Sequence, residues 1–144
     1  MKRFNNILLV FNSEVKQQAA FDRAVWLARQ NSARLTMMSV VKVSSSEIIQ
    51  TISGLPSQEL VEMVTTYHLK ELNAAVKDIK RQGIDAKSIA VSGIPFLEII
   101  RQVLRDKHDL VIIAAEGKGG LKERLFGSTS MHLMRKCPCP VWVV

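Results

Sequence analysis

The sequence predicts an α/β domain built on an open, parallel five-stranded sheet with helices on both faces, and three observations carry that reading. Five short apolar runs recur along the chain: Ile7–Phe11, Leu35–Val41, Ala86–Val91, Asp109–Ala115 and Val141–Val144. Runs of that length, apolar at successive positions, suit strands buried on both faces. The segments between them repeat their apolar residues at three and four, which is the period of a helix with one buried stripe. Strict alternation of the two kinds calls for parallel strands joined by right-handed crossovers. No internal repeat, low-complexity tract or compositional break interrupts the 144 residues, so residues 1–144 are expected to form one domain.

Ile7–Phe11 opens the sheet, and Asn12-Ser13 interrupts it and can cap a helix over about Val15–Asn31. Ala20, Ala24 and Leu27, with Phe21, Val25 and Ala28, form the apolar stripe of that helix. Leu35–Val41 is the second strand. Ser44-Ser45-Ser46 through Gly54-Leu55-Pro56-Ser57 is a polar connection with room for a short helical piece. A long helix follows over about Gln58–Gln82, turning Leu60, Val64, Leu69, Leu72, Val76 and Ile79 inward, with Gly83 at its C-cap. After Ala86–Val91, Gly93-Ile94-Pro95 turns the chain. Pro95 is suited to the first turn of a helix carrying Leu97, Ile100 and Leu104. Asp109–Ala115 then leads through a glycine-bearing loop to a helix opening at Gly127-Ser128-Thr129, and Val141–Val144 closes the sheet.

A strand that delivers a glycine loop onto a helix N-terminus is a place where an anion can bind. The first backbone N–H groups of a helix lack internal partners, and the helix dipole favours negative charge there. Glycine lets the backbone approach a ligand with no Cβ in the way. Gly117 to Thr129 is therefore a candidate phosphate site. Open α/β sheets bind ligands beyond the carboxyl ends of their strands, where strand order reverses. Phe11-Asn12 and Ala114–Gly117, at the ends of the first and fourth strands, would be neighbours there. A plainer reading stands beside this one: Gly127 makes a turn and Ser128 caps a helix.

Other classes find less support. The net charge of +7 comes from residues spread over several elements, such as Lys2, Lys77, Arg101 and Lys122, with no run of five like charges and no interleaved aromatics. A nucleic-acid surface is not expected. Cys137 and Cys139 supply half of a tetrahedral metal site and would make a strained disulfide, so buried, reduced thiols are expected. His68, His108 and His132 lie on different elements without an evident serine or cysteine partner. No nucleophile, base and orienting group can be assembled, so no dedicated enzyme and no catalytic residue are expected. The apolar runs are too short to span a bilayer and no secretory leader is visible, which places the chain in the cytoplasm by expectation.

Four blocks together, ILLVFN, Gly93-Ile94-Pro95 before a helix, DLVIIAAEGKGGLKERLFGST and CPCPVWVV, resemble the universal stress protein family over nearly the whole chain. HLMRKCPCPVWVV looks most like single domains of tandem-type members. The resemblance implies a Rossmann-like, adenine-nucleotide-binding sheet of order 3-2-1-4-5 and a stress-response role. It implies ATP with Mg2+ as the ligand, phosphates at Gly117 and at Gly127, Ser128 and Thr129, and the nucleoside near Val10, Phe11, Asn12 and Val40. Slow hydrolysis of ATP is compatible with it. The family's nucleotide motif is glycine, two residues, glycine, nine residues, then Gly-Ser or Gly-Thr. It lands on Gly117 and Gly127-Ser128, but its first glycine falls on Ala114 and a family aspartate falls on Asn12. The resemblance also implies a homodimer, or a tandem partner domain, paired through Pro140–Val144. The alternative role is a nucleotide-free dimerisation and partner-recruitment module.

Overall fold

The computed structural model describes residues 4–11, 18–42, 54, 57–114 and 122–144, with side chains given for all of these except 57 and 122–128. Its strands are β1 (Asn6–Phe11), β2 (Arg34–Lys42), β3 (Ala86–Gly93), β4 (Leu110–Ile113) and β5 (Val141–Val143). Its helices among these residues are α1 (Gln18–Asn31), α2 (Ser57–Arg81), α3 (Pro95–Asp106) and α4 (Lys122–Lys136). All four strand pairings are parallel, in the order β3-β2-β1-β4-β5, so Ile7–Phe11 lies at the centre of the sheet as expected. The polar connection expected over residues 44–57 lies mostly outside the described residues.

Strand alternation sorts the core into two layers. Ile7 and Leu9, Leu35 and Met37, and Leu110 and Ile112 point to the face covered by α1 and α2, where Ala24, Ala28, Leu72 and Ile79 meet them. Leu8, Val10, Met38, Val111 and Ile113 point to the other face, under Ile99 and Val103 of α3 and Leu133 of α4. A parallel strand covered on both sides has no solvent face, which is why the runs read as continuously apolar. The amino ends are pinned by Asp109, whose carboxylate accepts from the Asn5 and Asn6 backbone N–H groups at 2.7 and 3.0 Å.

Two expectations change. The buried stripe of α3 is Ile99, Gln102 and Val103, while Leu97 and Leu104 are 43% and 64% exposed. The helix PFLEIIRQVLRD carries two overlapping apolar stripes at helical spacing, and contact with β2 and β3 selects the one that also brings Phe96 and Ile100 inward. The second change concerns α4, which begins at Lys122 rather than at Gly127. Gly127 and Ser128 thus lie within the helix, and neither occupies its N-cap. The α2 stop is as expected: Gly83 takes φ +84°, and its N–H donates to the Lys80 carbonyl at 3.0 Å.

Candidate functional site

The carboxyl ends of β2, β1 and β4 lie side by side. Val10 pairs in register with Met38 on one side and Ile113 on the other, and Phe11 pairs with Ser39. Val40 and Ala114 each stand one residue beyond those partners, so Val10, Phe11, Val40 and Ala114 gather at one end of three adjacent strands. α1, which follows β1, covers one face and α4, which follows β4, covers the other, so strand order reverses at this end, where such folds hold ligands.

Accessibility divides these residues by role. Val10 and Ala114 are only 6% and 7% exposed and belong to the core layers, so they form a floor and offer a ligand backbone rather than side chain. Phe11 and Val40 are half-buried and present apolar surface at the rim. Thr129 of α4 is 9% exposed and the adjacent Ser130 is 1% exposed. Asn12 and Gly117 lie outside the described residues, and Gly127 and Ser128 are given only as helical backbone. Among the described residues no group of three or more metal-ligating side chains stands together.

The histidines have partners or packing that the sequence did not reveal. His68 Nδ1 lies 2.7 Å from Ser39 Oγ, beneath the rim of the crevice. Ser39 is 1% exposed, so no substrate reaches its hydroxyl, and the pair ties α2 to β2 rather than forming a nucleophile and base. His132 stacks on Phe96, centroids 4.5 Å apart and 15° from parallel, joining α3 to α4. His108 is buried beside Gln102 at the amino end of the sheet. Nothing in residue spacing announces the first two contacts, because each joins elements brought together only by the fold, while His108 packs back on the helix it follows.

Two cavities bounded by described residues lie at the amino end. One of about 170 Å³ is lined by Asn6, Arg34, Thr36, Asp85, Lys87 and Asp106. Lys87 Nζ contacts Asp106 Oδ2 at 2.8 Å, so its charges are already partly matched. Lys87 and Gln102, both donating to Asp106, hold that carboxyl below its ordinary pKa. This groove lies away from the end at which parallel sheets bind ligands, and it offers an anion no concentrated positive charge. The cysteines are free and half-buried where full burial is expected, packed against the core layer under α3 and α4 with their Sγ atoms 3.7 Å apart.

Strand order, flanking helices and the crevice between β1 and β4 define an open, doubly wound α/β protein. The chain belongs to the universal stress protein family, whose family model matches residues 3–144. It is 27% identical over 145 residues to universal stress protein E of Photorhabdus laumondii, covering 100% of this chain and 46% of that protein. It is 29% identical over 146 residues to universal stress protein YxiE of Bacillus subtilis, covering 98% and 99%. The chain therefore spans about half the length of one type of relative and nearly all of another. Universal stress protein UspA from Lactobacillus plantarum has the same fold at a TM-score of 0.81 and 24% identity, covering 100% of this chain and 99% of that one. Two more distant structures of this fold, at TM-scores of 0.64 and 0.61, are universal stress proteins solved with cAMP and, from Archaeoglobus fulgidus, with dAMP. Among the described residues, no helix is long and apolar enough to cross a membrane.

Proposed function

We propose that this chain is a stress-response binding protein that takes an adenine nucleotide, ATP with Mg2+, in the crevice at the carboxyl ends of β1 and β4. The reversal of strand order at that point is the observation that carries the reading. The cAMP and dAMP complexes of proteins sharing the fold support it. The base rests on the rim of Phe11 and Val40 over the floor of Val10, with Asn12 beyond. The phosphates meet the segment that leads from Ala114 and Gly117 into α4, whose orphan N–H groups belong to the turn beginning at Lys122 and not to Gly127, Ser128 and Thr129. Equilibrium titration with ATP and magnesium tests this: saturable one-site binding is expected, and no heat or fluorescence change at millimolar ATP would remove the nucleotide. Prolonged incubation in the same experiment measures any slow hydrolysis.

The β5 edge favours a second, compatible role in self-association. Pro140 accepts from the Val111 N–H, and the Val144 N–H donates to Ile113, so by strand alternation the Val141 and Val143 backbone groups face away from β4. That outer row faces no other strand in the sheet, and Trp142 beside it is 37% exposed. A second copy, or a tandem partner domain, pairs along Pro140–Val144 and covers this edge.

A further inference from the structure

The turn between α4 and β5 holds the two cysteines, Cys137 and Cys139, with Pro138 between them. Their Sγ atoms stand 3.7 Å apart, in hydrogen-bonding contact, and both residues are half-buried against the core layer under α3 and α4. Arg135 and Lys136 immediately precede them at the exposed end of the helix. The backbone around the pair is anchored on both sides, by the Cys137 N–H donating to Leu133 at 2.9 Å and the Val111 N–H donating to Pro140 at 3.0 Å. The fold thus holds two thiols together at the margin of the core, partly open to a small oxidant.

We propose that Cys137 and Cys139 form a peroxide-responsive dithiol site that closes to an intramolecular disulfide. The Cys137 thiolate attacks one oxygen of hydrogen peroxide; the O–O bond breaks, and the departing hydroxide takes a proton from solvent. Cys137 is then a sulfenic acid. The Cys139 sulfur attacks it, the S–S bond forms as the S–O bond breaks, and the Cys139 proton leaves with the hydroxyl as water. Two thiols are oxidised and one peroxide is reduced to two waters. The division of labour follows from the hydrogen bond between them: Cys139 holds the Cys137 pKa below the ordinary thiol range, while its own is raised. The sulfurs must close from 3.7 Å to about 2.05 Å. The short turn makes the bridge strained, and strained bridges are the readily reduced, reversible ones.

The test treats the full chain with one equivalent of hydrogen peroxide and maps free thiols by differential alkylation of the tryptic peptide that follows Lys136. Alkylation separates the cysteines from the methionines, which peroxide also oxidises. The expected result is joint loss of both thiols, a peptide lighter by two hydrogens, and recovery with dithiothreitol, with closure about tenfold faster than in the urea-unfolded chain. Cys139→Ser is expected to stop at a dimedone-reactive Cys137. Stepwise loss with added oxygen on each sulfur, disulfides between chains, or closure no faster than in the unfolded chain would overturn the proposal.

Discussion

His108 is 4% exposed, and Gln102 places its Nε2 3.1 Å from the imidazole Nε2. The same amide nitrogen lies 2.7 Å from Asp106 Oδ2. A donor facing the imidazole nitrogen requires that nitrogen to be the unprotonated one, so the neutral ring fits and the charged ring meets another N–H. Burial pushes the His108 pKa below its ordinary value of 6.5, against the opposing pull of the Asn6 backbone and the Asp106 carboxylate, with Lys87 acting in the same direction as burial and Asp109 against it. The unfolded chain thus binds the proton more readily. Stability is retained above pH 6.5 and falls as pH drops below it, by up to about 1.4 kcal/mol per pH unit for one proton. Urea melts at pH 7.5 and pH 5.5 (about one unit either side of the midpoint) should show this loss in wild type and a flatter profile in His108→Gln; equal slopes would contradict it. Ala114 is a second residue with a defined outcome. Its methyl packs into the core layer under α1, and it is not among the described non-glycine residues at positive φ, which are Ser32 and Lys107. Ala114→Gly is therefore expected to cost about 1 kcal/mol of stability and to change ATP affinity by less than about tenfold. A gain beyond that in the nucleotide titration would show that the methyl, and not the core, is what matters there.

At the scale of elements, β3 ends in a glycine whose identity the fold enforces. Gly93 has φ +147°, and a Cβ there would stand 2.9 Å from Glu98 Cγ. Glu98 can shift only by loosening its exposed pair with Arg101 Nη1, 2.8 Å from its Oε1, which costs little, so the positive φ carries most of the penalty. Gly93→Ala should lower stability by about 1–3 kcal/mol through backbone strain and this clash. Thermal or urea unfolding reads the loss, and a variant as stable as wild type would mean the turn adapts. The turn itself was legible as Gly93-Ile94-Pro95, because glycine and proline each fix a backbone requirement. The buried face of α3 was not, because apolar residues at 96, 97, 99, 100, 103 and 104 permit two stripes and only the neighbouring strands choose between them. The start of α4 was misread for a related reason: Gly127-Ser128 is a good capping signal, yet the preceding KERLF is helix-compatible and the helix runs on from Lys122.

For the whole molecule, strand alternation and the closing CPCPVWVV made the sheet and its family legible, since a buried parallel strand has few other sequence solutions. The candidate site was legible only in part. Val10, Phe11, Val40 and Ala114 do meet at one end of the sheet, but Ser39–His68 beneath them joins segments distant in sequence, and the half-buried state of the neighbouring Cys-Pro-Cys pair depends on how its turn packs on the core. The free edge of β5 gives a prediction at this scale. The Val143 N–H faces away from β4, so Val143→Pro should abolish pairing with a second copy while sparing the β4–β5 ladder. Sedimentation should find wild type dimeric at micromolar concentration (about 8 kcal/mol of association) and Val143→Pro or Val143→Lys monomeric. A wild-type monomer, or a dimer indifferent to both changes, would remove the interface. The location of the nucleotide is tested most directly by amide chemical-shift mapping of the isotopically labelled chain during titration with ATP and magnesium. The account predicts saturable shifts concentrated at Val10, Phe11, Val40, Ala114 and Thr129. Shifts centred instead on Asn6, Arg34 and Lys87 at the opposite end, or none at saturating ATP, would contradict it.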